Sequence, residues 1–340
     1  TTDTKCHRST EGREFWFGFM QGRNSSSNHY LEITITSREY ASFSIYVGKS
    51  TTPFYSGSVS PNSTTPVSIS YSAVEPAVSE QILNMGIHLV SDKPVNVYAL
   101  NHDNNSSDVA VIYPVVSLGK EYYAMCYTPH VDYTNLVHGR NSEFVVVASE
   151  DSTSISITPA VSTDGLHTAG TPFSIRLNKG ELYQVQSLEG DLTGSLITAD
   201  KPVAVYAGSY STTIPLQATG GWDHLYEQMP SVRTWGREYY TVPLAGRSKD
   251  YFRVMASQDK TSVIIGTNAP VILQKGKYYE FTLNVPTRIV SDKPILVSQY
   301  SQSKNNDNVT NGDGFMVILS PVSQAKNDVT FVAYQSTLMR

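Results

Sequence analysis

Short runs in which apolar and polar side chains alternate follow one another along most of the chain. In residues 153–158, Ile155 and Ile157 alternate with Ser and Thr, which gives the run one apolar and one polar face. A period of two residues is typical of a half-buried β-strand. No segment sustains a helical period, and only residues 78–85 show a weak one. The pattern therefore predicts an all-β protein.

Polar turns separate these runs and predict four hairpins. The polar residues 150–152 and 258–261 each join two β-type runs. Gly180 and Gly276 lie in two further turns, at positions where such a turn needs a positive φ. We expect the strands on the two sides of each turn to pair with each other.

Three landmarks recur in the same order, which indicates an internal repeat. The first landmark is Gly, a basic residue, Glu and two aromatic residues, beginning at Gly12, Gly119 and Gly236. The second is Asp-Lys-Pro between two apolar runs, and the third is a closing Pro-Val or Pro-Ser-Val. The Asp-Lys-Pro sequences begin at Asp92, Asp200 and Asp292, and the closing sequences begin at Pro114, Pro230 and Pro321.

The landmarks set the expected domain boundaries. The expected parts are an N-terminal segment (1–11), β repeat 1 (12–118), β repeat 2 (119–235), β repeat 3 (236–325), and a tail with one extra strand (326–340). The number of β-type runs per repeat favours three tandem repeats of β-sandwich type. The alternative is a six-bladed β-propeller with two blades per repeat. In both, we expect Asp-Lys-Pro to end one strand and begin the next, because Asp favours turns and Pro suits a strand's first position.

Composition narrows the possible partners. The 340 residues are 40% hydrophobic and 16% charged, with a net charge of −5 and no run of Lys and Arg. This balance argues against a nucleic-acid partner and against an anionic membrane surface. No apolar run is long enough for a transmembrane helix. The chain opens on Thr1 without an apolar leader, which fits a mature secreted protein or a trimmed one.

Two kinds of covalent modification are suggested by the sequence. Cys6 and Cys126 are the only cysteines, and they can pair in an oxidising compartment. The alternative is that both are free, with Cys126 buried in a strand. Sequons, which are glycosylation sites if the source is eukaryotic, begin at Asn24, Asn62, Asn105 and Asn308.

The loops that follow the Asp-Lys-Pro strands are the candidate binding sites. Residues 101–108 and 304–314 are rich in Asp and Asn, whose oxygens can ligate Ca²⁺; solvated turns are the alternative. The equivalent loop of repeat 2, residues 210–222, is apolar and aromatic and suits contact with a partner. The candidate ligand-binding residues are Asp103, Asn105, Asp108, Trp222, Asp223, Asp307 and Asp313.

Signatures of catalysis are absent from the sequence. The chain has no Gly-x-Ser-x-Gly elbow, no phosphate-binding glycine loop and no zinc-ligand spacing. Most Asp residues lie in turns, and no pair of carboxylates is marked as the acid and base of a glycosidase. We therefore expect a protein that is not an enzyme and that has no cofactor apart from the Ca²⁺ considered above.

One block resembles a known family. Residues 221–236 contain His-Leu-x-Glu-Gln-x-Pro followed by Thr-Trp-Gly, which resembles the IgGFc-binding-protein N-terminal domain family. The Gly-Arg-Glu-Phe opening, the Asp-Lys-Pro strands and residues 144–159 are also similar to that family, so the resemblance spans about residues 12–325. The resemblance implies a secreted domain of animal mucus proteins or large bacterial surface proteins, with adhesive or binding roles. It assigns contact with antibody Fc to no residue of this chain.

These observations favour an extracellular or cell-surface adhesion or recognition domain that belongs to a larger multidomain protein. We expect it to bind a protein or a glycan through its inter-strand loops, without catalysis. One alternative is a structural spacer of a large cell-surface or mucus protein. The other is a carbohydrate-active enzyme.

Overall fold

A computed structural model describes most of the chain. The described residues are 9–22, 29–103, 106–129, 141–216, 218, 220–307, 309, 312, 314–327 and 329–332. Strands form most of the regular structure, so the all-β prediction is confirmed. Among the described residues, no helix is long and apolar enough to cross a membrane.

The strands form three antiparallel sheets, and we call the parts of the chain that build them modules 1, 2 and 3. Module 1 contains β1 (Gly12–Phe17), β2 (Tyr30–Ser37), β3 (Ala41–Val47), β4 (Tyr55–Val59), β5 (Ser63–Ile69), β7 (Ile87–Asp103) and β8 (Ser106–Ile112). The same part of the chain contains β6 (Ile82–Leu83), which joins the sheet of module 2. Module 2 contains β9 (Gly119–Tyr123), β10 (Ser142–Ala148), β11 (Thr153–Thr158), β12 (Phe173–Leu177), β13 (Leu182–Gln186), β14 (Leu196–Thr212) and β15 (Asp223–Gln228).

Module 3 repeats this order and ends with a short helical segment, as the other modules do. It contains β16 (Gly236–Thr241), β17 (Asp250–Ala256), β18 (Thr261–Ile265), β19 (Val271–Leu273), β20 (Tyr278–Leu283), β21 (Thr287–Tyr300) and β22 (Met316–Ile318). The short helices are α1 (Tyr71–Val74), α2 (Lys304–Asp307) and 3-10 turns at Val115–Ser117, Val232–Thr234 and Val322–Gln324.

One long strand organises each sheet. In module 2, the first half of β14 pairs with β9 and β11, and its second half pairs with β10 and β15. The strands β7 and β21 have equivalent partners in modules 1 and 3. Each module is therefore a curled, sandwich-like sheet whose two halves share one bent strand, and the three-repeat arrangement is confirmed. The propeller is not confirmed, because each repeat builds one sheet rather than two blades.

The Asp-Lys-Pro sequence is a corner inside the long strand, so the prediction that it separates two strands is wrong. The strand continues through the corner because the Asp carboxylate accepts a hydrogen bond from the backbone of the strand beside it. These bonds join Ser42 N to Asp92 Oδ1 (2.8 Å), Ser154 N to Asp200 Oδ1 (2.8 Å) and Ser262 N to Asp292 Oδ1 (2.7 Å). The pairing register of β14 against β9 shifts here, and such an irregularity tolerates Pro, which has no N–H.

The four predicted hairpins are also wrong. β10 and β11 both pair with β14, one beyond the other along the same edge, while β12 pairs with β11 and β13 with β10. Module 3 follows the same scheme. Each turn therefore carries the chain around a corner between the two halves of a module. The expected positive φ angles are present, 81° at Gly180 and 72° at Gly276.

The first and third landmarks pack against each other in every module. The closing sequence approaches the backbone of the opening glycine so closely that a side chain on that glycine would overlap it. A Cβ would lie 2.2 Å from Pro114 if added to Gly12, 2.4 Å from Ser231 if added to Gly119, and 2.2 Å from Pro321 if added to Gly236. The contact joins the start of each module to the 3-10 turn at its end.

Segments outside the main sheets connect the modules. Residues 78–85, which showed a weak helical period, form no helix, and β6 within them pairs with β13 of module 2. After module 3 the chain returns to module 1, where Arg38 Nε donates to Thr330 Oγ1 (2.7 Å) and Val332 N donates to the Tyr98 hydroxyl (3.3 Å). Residues 329–332 form no strand, contrary to the expected extra strand, and residues 333–340 lie outside the described part.

Candidate functional site at the module junction

The last strands of the three modules meet at one place. β15 contacts both β8 and β22, so the three sheet edges lie side by side. A cavity of about 390 Å³ opens where they meet, and its walls come from all three modules and from residues 326–330. A concave space of this size at a junction of structural units is typical of a binding site.

The cavity has an apolar wall and a charged rim. The apolar wall consists of Val111, Tyr113, Pro230, Val317, Ile318 and Val329. At the rim, Arg38 Nε lies 3.3 Å from Glu11 Oε1 and also contacts Thr330. Lys326 Nζ donates to Ser9 Oγ (3.2 Å). The rim contacts thus tie the segment before β1 and the tail to the same opening.

Glu227 of β15 is the half-buried carboxyl on the cavity wall. Burial raises the pKa of Glu227 well above its usual value, although a hydrogen bond from the backbone N–H of Gln228 acts in the opposite direction. Burial likewise raises the pKa of Asp108, and the charge of Glu227 adds to this effect. A carboxyl with a raised pKa favours its neutral form, which both donates and accepts hydrogen bonds.

Other members of the block around Glu227 hold the junction together. The Gln228 side-chain carbonyl accepts a hydrogen bond from Tyr113 N across the boundary between modules 1 and 2 (2.6 Å). Trp235 Nε1 donates to the carbonyl of Pro230 (3.1 Å), and the Trp235 ring contacts Tyr123 (5.9 Å between centroids). The block therefore combines one cavity-facing carboxyl with residues that build the wall behind it.

The structure places Asp103 and Asp108 in a tight β-hairpin rather than in an open loop. Asp103 is opposite Ser106, and Asn101 is opposite Asp108, in the pairing of β7 with β8. Both Asp side chains are buried. Among the described residues, Asp108 Oδ2 has no hydrogen-bond partner.

Asp223 and His224 lie next to this hairpin, on the other side of the boundary between modules 1 and 2. His224 N donates to Ser106 Oγ (2.9 Å), and His224 Nδ1 donates to the carbonyl of Ser209 (2.9 Å). Burial lowers the pKa of His224 to about 4, so the ring is neutral at physiological pH. Asp103, Asp108 and Asp223 thus lie on strands that meet at the interface of modules 1 and 2, and all three are buried there.

The apolar loop of module 2 contacts module 3. Ile214 N donates to Ser303 Oγ (3.0 Å), Ser303 N donates back to the carbonyl of Ile214 (2.8 Å), and Ser303 Oγ also donates to the carbonyl of Gly221 (2.9 Å). Trp222 is half-buried at the end of this loop. The loop therefore joins two modules, where the sequence predicted a surface for an external partner.

Asp307 holds a loop of module 3. Its Oδ1 accepts from Ser248 N (2.9 Å) and from Gln302 Nε2 (3.1 Å), and its Oδ2 lies 3.6 Å from Arg247 Nη1. Asn105 and Asp313 lie outside the described residues. Within the described part of the chain, no group of three or more His, Cys, Asp and Glu side chains is arranged to hold a metal ion. Ca²⁺ binding stays a prediction.

Most residues of the predicted disulfide and glycosylation sites lie outside the described residues. Cys126 is buried and forms no disulfide with any described residue, its Sγ donates to the carbonyl of Glu143 (3.3 Å), and burial raises its pKa. Its possible partner Cys6 is outside the described residues, as are the sequons at Asn24, Asn105 and Asn308. The sequon residue Asn62 is exposed in the turn between β4 and β5.

Sequence reasoning singled out Glu227 only as part of a block and missed the charged rim. Arg38 follows β2, and Lys326 lies almost 300 positions later, so no local pattern joins them. In the sequence, only the tail pointed to the cavity. Its residues Val329 and Thr330, which line the cavity, closely follow the last landmark.

Comparisons with known proteins agree with the resemblance seen in the sequence. The family model of the IgGFc binding protein matches residues 108–338, which covers modules 2 and 3 and the last strand of module 1. The human IgGFc-binding protein is 30% identical over 196 residues, which is 56% of this chain and 3% of that protein. The chain thus spans only a small part of the length of its relative. No solved structure matches. Since the family model covers more than half of the chain, the chain belongs to the IgGFc binding protein family.

Proposed function

We propose that this chain is an extracellular, non-catalytic recognition domain that holds a segment of a protein partner in the junction cavity. The observation that carries the proposal is the cavity itself, whose walls come from all three modules. An apolar wall with a few polar groups at the rim fits an inserted apolar side chain flanked by polar backbone. The name of the human relative refers to a protein ligand, the Fc region of IgG, which supports a protein over a glycan as the partner class.

The arrangement of charges supports binding rather than hydrolysis. Of the two carboxyl side chains among the described lining residues, Glu11 is occupied by an ion pair with Arg38, which leaves Glu227, whose pKa burial raises. A glycosidase needs two carboxyl groups that face one scissile bond in different protonation states. Loops of neighbouring modules bind each other, so we place the proposed contact in the cavity instead of in the inter-strand loops.

The test is a screen of the immobilised chain against secreted proteins, including purified IgG Fc, and against a glycan array. We expect a protein ligand whose affinity falls at least tenfold in Ala325→Trp, because the indole fills the cavity lined by Ala325. The matched control is Val116→Trp, which places the same side chain on an exposed position outside the cavity and leaves binding unchanged.

Three results would contradict the proposal. Absence of any ligand in the screen supports the structural spacer instead. Hydrolysis of a bound glycan revives the carbohydrate-active enzyme. Equal binding by the wild type and Ala325→Trp places the contact outside the cavity.

A further inference from the structure

β20 is an edge strand of module 3, although its equivalent in module 2 is covered. Phe144 pairs with Val185 and Phe252 pairs with Phe281, so β13 and β20 occupy the same place in the two modules. β13 lies between β10 and β6. Within the part of the chain that the structure describes, β20 pairs with β17 alone.

A segment from module 1 covers β13. Ile82 and Leu83 pair with Tyr183 and Leu182 in antiparallel register. Farther along the strand, Glu80 N donates to the carbonyl of Gln184 (2.7 Å), and Gln186 N donates to Ser79 Oγ (3.0 Å). The outward backbone groups of β13 are thus satisfied by residues 78–83, which come from the chain of module 1.

A long loop closes the same side of module 2. Residues 159–172 join β11 to β12, and Thr163 Oγ1 donates to Glu80 Oε1 (2.7 Å) while Asp164 N donates to the carbonyl of Gln186 (2.9 Å). The equivalent connection of module 3, from β18 to β19, consists of residues 266–270 only. This connection is too short to cover the edge of β20 in the same way.

Module 3 therefore exposes apolar side chains that module 2 buries. Tyr183 is 5% exposed, whereas its equivalent Tyr279 is 41% exposed. The rings of Tyr279, Phe281 and Phe252 form a row with centroids 5.9 Å and 5.6 Å apart, which runs from the surface into the core. On β19, which precedes β20 along the chain and pairs with β18, Ile272 is also exposed. An open strand edge beside an apolar surface is a template for an added strand.

We propose that β20 binds an extended segment of a separate partner protein as an added antiparallel strand, in the way that β13 binds residues 78–83. The segment carries a polar residue followed, two positions later, by two adjacent aliphatic residues, as Glu80, Ile82 and Leu83 do. Backbone hydrogen bonds to Tyr278, Glu280 and Thr282 hold the strand. The first aliphatic side chain lies beside Tyr279, as Ile82 lies opposite Tyr183, and the second lies beside Tyr278 on the other face, as Leu83 lies opposite Leu182. A second copy of this chain is not the source, since its own residues 78–83 are engaged in module 2.

The experiment uses the full chain and a fluorescent peptide with the sequence of residues 78–85. We expect saturable binding by fluorescence anisotropy and slower amide hydrogen exchange in residues 278–283. Thr282→Pro removes the outward N–H equivalent to that of Gln186 without removing a bond to β17, and edge strands tolerate Pro. We expect at least tenfold weaker peptide binding in Thr282→Pro and unchanged binding in the matched control Thr282→Ala.

A ligand-side control keeps the test independent of protein folding. Methylation of the peptide's Glu nitrogen, the atom with which Glu80 donates to Gln184, should weaken binding to the wild-type chain to a similar extent. Lack of binding, equal binding by Thr282→Pro and Thr282→Ala, or protection of residues 182–186 in place of residues 278–283 would each overturn the proposal.

Discussion

The interface between modules 1 and 2 and the interface between modules 2 and 3 use the same face of the sheet with different chemistry. At the first interface, Val145 and Val147 of β10 join Phe17 and Phe19 in one apolar cluster. At the second, Arg253 stands at the position equivalent to Val145, because each follows the first Phe of its strand. The same scaffold position therefore carries an apolar contact in one interface and a buried charge in the other.

Arg253 is held by several partners at once. Its Nη1 donates to Asp191 Oδ2 (2.7 Å) and to the carbonyl of Cys126 (2.9 Å), and its Nε donates to Glu280 Oε2 (2.8 Å). The guanidinium lies 4.2 Å from the ring centroid of Tyr127. Such a buried pair adds little net stability over an apolar contact, but it fixes one geometry and makes the loss of either partner costly. Equivalent strand positions therefore form the contacts at both interfaces, while the chemistry of each contact differs.

Removal of the arginine is expected to have the largest effect. Arg253→Met leaves the buried Asp191 without its cation, and we expect a loss of about 3–5 kcal/mol in the free energy of unfolding. The double variant with Asp191→Asn should regain part of that loss in chemical denaturation. Arg288→Met, which removes an exposed ion pair with Glu238, is the control and should leave the unfolding midpoint unchanged. A similar midpoint for Arg253→Met and Arg288→Met would contradict the role given to the buried pair.

Acidification is expected to weaken the first interface through His224. Its pKa is about 4 in the folded chain against 6.5 for the free side chain, so the unfolded chain binds more protons between these values. Stability at this site is present above pH 6.5 and is lost as the pH falls towards 4, by about 3 kcal/mol. His224→Asn keeps a donor for the carbonyl of Ser209 and should flatten this part of the pH profile of unfolding.

The control for this profile is His167→Asn, which replaces a histidine stacked on Phe173 at the surface of module 2. It should retain the acid-dependent loss seen in the wild type. A His224→Asn profile that falls as steeply as that of His167→Asn would remove His224 as the cause.

A side chain added where two backbones lie close together is expected to have a smaller effect on the free energy of unfolding. Gly86 N donates to the carbonyl of Gly180, and a Cβ on Gly86 would lie 2.8 Å from that oxygen. Gly86→Ala should therefore cost about 1–3 kcal/mol of unfolding free energy through overpacking. The equivalent residue of module 3 is Pro286, which is exposed, so Pro286→Ala should change stability little. Equal thermal midpoints for the wild type and Gly86→Ala would show that the interface relaxes around the added methyl group.

Local chemistry in the sequence predicted the elements but not their partners. Alternation predicted the strands, and the landmarks predicted the modules, because both depend on neighbouring residues. Hairpins were predicted from the polar residues between β-type runs, and a corner turn uses the same residues and the same positive φ, 57° at Ser152 and 54° at Lys260. Whether a strand folds back or continues depends on the long strand opposite, which local residues do not reveal.

The candidate site was also not predictable from local sequence alone. Glu227 lies in a recognisable block, whereas Arg38, Lys326 and Glu227 meet only because three modules and a returning tail converge. The Asp-rich and apolar loops were predicted to face solvent because they are polar or long. The hairpin of Asp103 and the contact of Ile214 with Ser303 instead bury them at module interfaces, since equivalent loops of neighbouring modules lie side by side.

β13 is covered in module 2, whereas the equivalent β20 of module 3 pairs only with β17 among the described residues. Residue-resolved hydrogen exchange of the full chain measures this difference. Gln186 N donates to Ser79 Oγ, whereas the equivalent Thr282 lies exposed on an open edge. We expect slow exchange for the amide of Gln186 and exchange at least tenfold faster for that of Thr282, under conditions where the amides of β17 and β10 are equally protected. Equal protection of Gln186 and Thr282 would mean that β20 is covered as β13 is, and would rule out an open edge in module 3.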